Sequence, residues 1–371
     1  MCVLLGFSLN ATELLAQKAQ LENLSAGTLT KILDRYRGQA YENFSRFALD
    51  TYTTSKPLFT REQHNAIGRF AANKRLKPEQ AFVVHRLLGV YTRLKYGGEA
   101  RRMLAKLVSI PSVSQTSVEQ HENANFIRLQ KAIASYAKQF KLKYKNIDGR
   151  VYEISLPSKG GVEVGFYAHG DVAPVNLDLW VLEDGTKLDP FKLTQVDNKL
   201  YARGIVENKN AIVASMIAMR IIKEEEIRLF NSIKLLVDTT RVSRSTAMRY
   251  YFQQRPKPDY NIAFDGGYPV ILAESELIDK HAMYRQPNSR WLSALLDIAS
   301  ENLGLARDPA WSTADNSVHA LANGVQFGLA MPSDKNAGEK ANEFKTIDQF
   351  LLDLQIVTET MIRIGLMRNL E

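Results

Sequence analysis

Apolar positions between Thr12 and about Tyr96 recur at three- and four-residue steps, as in Leu14, Leu15, Leu21 and Leu24, then Leu29, Ile32, Leu33 and Tyr36. That spacing lines one face of a helix and predicts an all-helical segment. Gly27, Lys56-Pro57 and Gly97-Gly98 punctuate it. Pro78 precedes the run Phe82, Val83, Leu87, Leu88, Val90 and Tyr91, where a proline suits the first helical turn. After Gly98 the rhythm changes. A helix through Met103, Leu104 and Leu107 is expected to end at Ile110-Pro111, because the residue before a proline disfavours helix. An amphipathic helix follows over 126–140. Strand-like runs lie at Val151 to Leu156, Val162 to Ala168 and Ile233 to Val237, with a helical stretch from Ala211 to Lys223 between the last two. This alternation predicts an α/β fold, a sheet flanked by helices, over residues 99–371, preceded by a helical N-terminal module over 1–98. The run Glu224-Glu225-Glu226 reads as a solvated helix end.

Length and composition narrow the class. A chain of 371 residues can bury one main core plus a smaller module, and 45% hydrophobic with 24% charged residues excludes a disordered or collagen-like chain. No run approaches the roughly 18 uncharged apolar residues of a membrane span. The single cysteine, Cys2, rules out an internal disulfide and a CxxC zinc ribbon. The net charge of +8 is concentrated early, since residues 1–100 carry 14 Lys+Arg against 8 Asp+Glu. That segment lacks the aromatic interleaving and dense basic stripe of nucleic-acid readers, so a solvated basic face is expected and nucleic acid is not. The apolar stretch Met1 to Leu9 has no positive residues ahead of it, and reads as the start of a helical domain rather than a secretory signal. Cytoplasmic and exported locations both stay open.

The chemistry concentrates after one strand. Val164 to Ala168 reads as buried, and it delivers His169-Gly170-Asp171 at its C-terminal end, where open α/β sheets place ligands. His-x-Asp alone is a weak signal, more often a hydrogen-bonded pair than a metal site. Downstream, however, come Trp180, Asp189-Pro190-Phe191, Asp197, Lys199-Leu200-Tyr201-Ala202-Arg203-Gly204, then Glu207 and Lys209 entering a helix. Further on stand Tyr250-Tyr251-Phe252, Pro258-Asp259-Tyr260, Asp265, Tyr268-Pro269-Val270, Gly324 to Gly328 and Ala341-Asn342-Glu343-Phe344.

From about residue 100 to the end, this order resembles the acetylornithine deacetylase, carboxypeptidase G and dipeptidase family of di-zinc metallopeptidases, most closely its dipeptidase branch. The resemblance implies a di-zinc exopeptidase-like mixed sheet flanked by helices. It also implies two zinc ions sharing a carboxylate, with a Glu base activating metal-bound water. The first-metal positions fall on His169, Glu207 (a bridging Asp in the family) and Asp265. Asp171 stands where the family's Asp orients the His ligand. The second-metal and base positions depart from the pattern. An ungapped register places the family's Asp-Glu-Glu on Thr240-Arg241-Val242, and a register shifted by two places it on Asp238-Thr239-Thr240. The late His position falls on Glu339. The family's Asp-Asp-Lys-Gly turn reads Glu207-Asn208-Lys209-Asn210, and the lid and dimerisation domain is reduced to a short connection around 270–288.

Arginine cannot abstract a proton from water and valine cannot ligate zinc. The expectation is a dead or strongly impaired peptidase homologue that binds a peptide or protein ligand, with zinc at one site at most and more readily none or weakly held. Arg241 is expected to replace the missing cation among Glu207, Asp265 and Glu339, which would otherwise raise one another's pKa. The alternative is a single-metal hydrolase, of dipeptides or N-acyl amino acids, on His169, Glu207 and Asp265 with a base at Glu339 or Asp238. No oligomeric state follows from the sequence.

Overall fold

The two apolar runs that flank Ala211 to Lys223 lie side by side in the computed structural model, which describes residues 24–114, 118–242, 246–273, 289–312, 317–331 and 338–371. In chain order the strands are β1 (Lys143–Ile147), β2 (Val151–Leu156), β3 (Glu163–His169), β4 (Thr194–Val196), β5 (Lys199–Tyr201) and β6 (Ser232–Asp238). Then come β7 (Tyr260–Ala263), β8 (Gly266–Gly267), β9 (Val270–Ala273), β10 (Ala310–Ser312), β11 (Gly324–Phe327), β12 (Leu329–Ala330) and β13 (Phe344–Thr346). Eight of them form one mixed sheet in the order β1-β2-β6-β3-β7-β11-β9-β10. Beyond their first residues, β3 and β6 are buried throughout, as strands covered on both faces must be.

Register fixes where the chemistry lies. β3 runs parallel to both β6 and β7, with His169 opposite Asp238 and Tyr167 opposite Ala263. The C-terminal ends of the three strands are therefore level, and the residues that leave them gather at one edge of the sheet.

The chain divides into two compact units, one to Leu94 and one from Lys95. In the first, α1 (Ala26–Tyr36), α2 (Phe44–Thr54) and α3 (Arg61–Ala71) are each capped by a side chain that accepts a first-turn N–H: Ser25, Asn43 and Thr60. Gln63 completes a capping box with Thr60. An aromatic cluster of Tyr36, Phe44, Phe47 and Tyr91 holds this unit together, with Phe47 and Tyr91 stacked at 5.5 Å.

The helix α4 (Pro78–Val108) begins at the expected proline and stops just before Ile110-Pro111. It does not break at Gly97-Gly98, contrary to the expected punctuation. A glycine costs a helix only about 1 kcal/mol relative to alanine, too little to end one that is otherwise supported. A Cβ at Gly97 would come within 2.8 Å of Leu351 Cδ2, so close packing rather than termination accounts for that glycine.

In the second unit follow α5 (Ala124–Gln139), α6 (Lys209–Glu224), α7 (Thr246–Gln254), α8 (Arg290–Leu303) and α9 (Ile347–Leu366). Helices α6 and α9 pack on each other, and Asn210 donates to Asp353 at 2.7 Å. Asp353 is also paired with Lys345. Glu224-Glu225-Glu226 ends α6 with Glu224 and Glu226 exposed, and Glu224 also accepts hydrogen bonds from Arg220 at 2.6 Å and from Tyr96. Among the described residues no helix is long and apolar enough to cross a membrane. The short connection expected around 270–288 lies mostly outside the described residues.

One packing constraint reaches toward the site. A Cβ at Gly324 would stand 1.8 Å from the Val318 carbonyl oxygen, so β11 can start there only on glycine. Gly324→Ala is expected to destabilise the fold by about 2 kcal/mol or more in urea unfolding, as overpacking against backbone does. An unchanged midpoint would contradict this packing.

Candidate functional site

Three strand ends supply the polar wall of a narrow cleft: His169 from β3, Asp238 from β6, and Asp265 two residues beyond β7. Arg241 joins them from the turn after β6, and Tyr167, Ala168, Met248 and Ala263 form the apolar wall.

His169 is 2% exposed and held from several sides. Its Nδ1 lies 3.0 Å from the Asp171 carbonyl and 3.2 Å from Asp171 Oδ1, and its backbone N–H donates to Asn208 Oδ1 at 3.2 Å. Its Nε2 is 3.6 Å from Asp265 Oδ1. Burial alone would lower the imidazole pKa, but Asp171 and Asp265 outweigh it and hold the pKa well above the usual value. Both carboxylates therefore favour the protonated ring. Asp171, fully buried, also accepts from the backbone N–H groups of Arg241 at 3.1 Å and Val242 at 2.8 Å. It thus orients the histidine and shapes the turn that carries Arg241.

Arg241 Nε donates to Asp265 Oδ2 at 2.7 Å. Burial opposes ionisation of Asp265, yet His169 and Arg241 together keep its pKa well below the carboxylate range. Gln326 Nε2 donates to the Asp265 carbonyl at 2.6 Å and fixes the backbone there. Asp238 responds oppositely. Burial and the Asp171 charge push it up to about 6, against the donors of Thr240.

Glu207 sits on a separate turn that Glu343 organises. Glu343 Oε1 accepts from the N–H groups of Val206 at 2.6 Å and Glu207 at 3.1 Å. Its Oε2 accepts from Gly204 N–H at 3.0 Å and Arg203 Nη1 at 3.1 Å. Gly338 closes over this turn, since a Cβ there would meet Glu207 Cγ at 2.1 Å. Burial raises the Glu207 pKa to about 7; His169 lowers it, and Asp265, Glu339 and Glu343 add to the rise. Lys209, wholly buried, donates to the Ile110 carbonyl at 2.7 Å, and desolvation lowers its pKa to about 7.

The sequence-derived positions therefore divide. His169, Asp171, Arg241 and Asp265 form one contact network, and Glu207 interacts with it through charge. Val242 contributes its backbone N–H. Glu339 is exposed at φ 72°, and its carbonyl accepts from Arg203 Nη2 at 3.1 Å. The organising role of Glu343 was missed. It stands in the quoted Ala341-Asn342-Glu343-Phe344 stretch, but its partners lie more than 130 residues away.

A zinc ion at this donor set would draw first on His169 and Asp265. The His169–Asp265 separation of 3.6 Å is near the roughly 3.4 Å expected of two ligands on one tetrahedral zinc. However, among the described residues no three His, Cys, Asp or Glu side chains converge as a metal group. Arg241 also holds the second oxygen of Asp265. Among the described residues, this donor set does not fit a metal centre.

Comparison with known proteins agrees with this architecture. A sequence profile for peptidase family M20/M25/M40 matches residues 165–363, more than half of the chain. Among curated relatives, the Bacillus subtilis protein named "Putative dipeptidase YtjP" is 28% identical over 153 residues, 41% of this chain and 31% of that protein. The human Beta-Ala-His dipeptidase is 36% identical over 94 residues, 25% of this chain and 17% of that protein. These alignments span under one third of either relative. An M20 family metallo-carboxypeptidase from Sulfolobus solfataricus shares the fold, with a TM-score of 0.55 at 14% identity over 71% of this chain and 98% of that one. A tripeptidase from Staphylococcus aureus does so with a TM-score of 0.52 at 12% identity, over 72% of this chain and 98% of that one.

The Glu207 environment sets a pH test. Its folded pKa is raised, so its contribution to stability is full below the unfolded carboxylate value near 4.5 and is lost as pH rises through about 7. Glu207→Gln is expected to raise the melting temperature at pH 8 and leave it nearly unchanged at pH 5. A loss of stability at pH 8 would contradict the assignment.

Proposed function

Because the chain belongs to peptidase family M20/M25/M40, we propose that it is a homologue whose hydrolytic power is lost or strongly impaired, and that it serves as a binding or regulatory protein for a peptide or protein ligand. The observation that carries this reading is the 2.7 Å bond from Arg241 Nε to Asp265 Oδ2. A guanidinium stays protonated at any working pH and cannot take a proton from water. It can, however, neutralise carboxylates that a metal would otherwise hold, and it feels Asp238 and Glu207 as well as Asp265. Relatives named as dipeptidases support peptide as the ligand class.

A second reading is a residual hydrolase with one metal on His169, Glu207 and Asp265. One observation favours it: Asp238 lines the cleft with its pKa near 6, as a proton acceptor at neutral pH requires. It predicts stoichiometric zinc and a rate that rises as pH passes about 6.

Two measurements test the first reading. With zinc supplied, dipeptide cleavage is expected at least about 10²-fold below that of a family dipeptidase assayed alongside, the usual cost of losing a general base. Cleavage within a few-fold of that enzyme would overturn it. In metal-free buffer, Arg241→Ala is expected to cost about 1–3 kcal/mol, the worth of a charge-assisted hydrogen bond at a half-buried site. An unchanged melting temperature would refute the stabilising role of the guanidinium.

A further inference from the structure

Two leucines stand in water on a turn that is itself firmly held. Leu177 is 65% exposed and Leu179 60%, more than any other large apolar side chain among the described residues. The turn continues the chain that leaves β3 through His169 and Asp171. Asn176 Oδ1 accepts from Asp178 N–H at 3.1 Å, and the N–H groups of Leu179 and Trp180 donate to the carbonyls of Asn176 and Leu177 at 3.2 and 3.1 Å. Trp180 anchors it, buried with Leu188 and Tyr201, and the Trp180 carbonyl accepts from Leu188 N–H at 2.8 Å. The leucines are therefore displayed on a preorganised turn, where covering them with a partner is favourable and costs little ordering.

Charge around the turn decides the kind of partner. Over residues 174–191 the charged side chains are Asp178, Glu183, Asp184 and Asp189 against Lys187 alone, all exposed. Asp184 and Asp189 each accept one nearby backbone N–H, at 2.9 and 2.8 Å, which holds the carboxylates in place. Among the described residues no ion pair neutralises any of the four acids. A second copy presenting the same turn would set acid against acid, and an anionic lipid surface would be repelled. A segment with lysine or arginine beside apolar side chains matches both the leucines and the acids.

We propose that the turn from Asn176 to Asp184 docks a basic, apolar-bearing segment of another protein, its apolar side chains on Leu177 and Leu179 and its cations on Asp178, Glu183 and Asp184. The surface is small, so the contact is weak and its selectivity is electrostatic. None of these residues lines the cleft, and the inference goes beyond the proposed function by giving a protein partner a surface and a chemistry.

The test uses the full chain and three amidated, fluorescein-labelled peptides at constant low ionic strength, read by anisotropy: Lys-Leu-Lys-Leu-Lys, Glu-Leu-Glu-Leu-Glu and Lys-Ser-Lys-Ser-Lys. The lysine–leucine peptide is expected to bind saturably, and the other two at least about tenfold more weakly. Leu177→Ser/Leu179→Ser, which alters only exposed side chains, is expected to weaken that binding at least about tenfold. Glu183→Lys/Asp184→Lys is expected to move the preference toward the glutamate–leucine peptide. Equal binding of the three peptides, or undiminished binding by the leucine variant, would overturn the proposal. So would sedimentation showing that the unaltered chain, without peptide, self-associates through these leucines. Absence of binding by every peptide overturns the docking surface and leaves the impaired-hydrolase reading standing, whereas brisk zinc-dependent dipeptide cleavage overturns that reading and not the docking surface.

Discussion

Acidic side chains crowded at the end of three parallel strands must be matched by positive charge, and the site is arranged around that constraint. Asp171, Asp238 and Asp265 are held close together by strand register and by backbone donors, with Glu207 near them. Without cations they would raise one another's pKa and oppose folding at neutral pH. His169 and Arg241 provide that charge, and both converge on Asp265. The divergence of the carboxylates follows. Asp265, contacted by both cations, is held strongly acidic, whereas Asp238 and Glu207, where burial dominates, titrate near 6 and 7.

The scaffold supports this arrangement at two levels. The sheet sets the positions, since level strand ends bring together residues that are about 70 and 96 positions apart along the chain. Glu343 sets the Glu207 turn, because four donors converge on one buried carboxylate and Gly338 packs over the side chain it positions. Asn210 donates to Asp353 at 2.7 Å, which ties the start of α6 to α9. A fold shared with M20 peptidases is thereby retained around a centre in which Arg241 contacts Asp265.

Much of the fold was legible because its central strands and flanking helices are strongly patterned. The runs read at Val151 to Leu156, Val162 to Ala168 and Ile233 to Val237 match β2, β3 and β6 within a residue or so. β1 was not foreseen, since Lys143–Ile147 is mostly exposed and polar, as an edge strand can be. Gly97-Gly98 was read as a break because a sequence does not show that Leu351 packs against Gly97. In the site, His169, Asp171 and Asp265 were singled out through the family resemblance, and the structure brings the three side chains together. The contacts that give the site its present character depend on tertiary neighbours. These include the grip of Arg241 on Asp265, the unpartnered oxygen of Asp238 and the four-way bond to Glu343. Asp238 was weighed only as an alternative register and as a substitute base, because burial could not be read from its one-residue context.

Zinc stoichiometry tests the central claim most directly. The unaltered chain is dialysed against zinc at neutral pH, then against zinc-free buffer, and its metal is counted by mass spectrometry. An Arg241→Glu/Val242→Glu/Glu339→His variant is carried through in parallel. Arginine standing in for the metal predicts well under one zinc per unaltered chain, and more in the variant. One or more tightly held zinc ions per unaltered chain would contradict it.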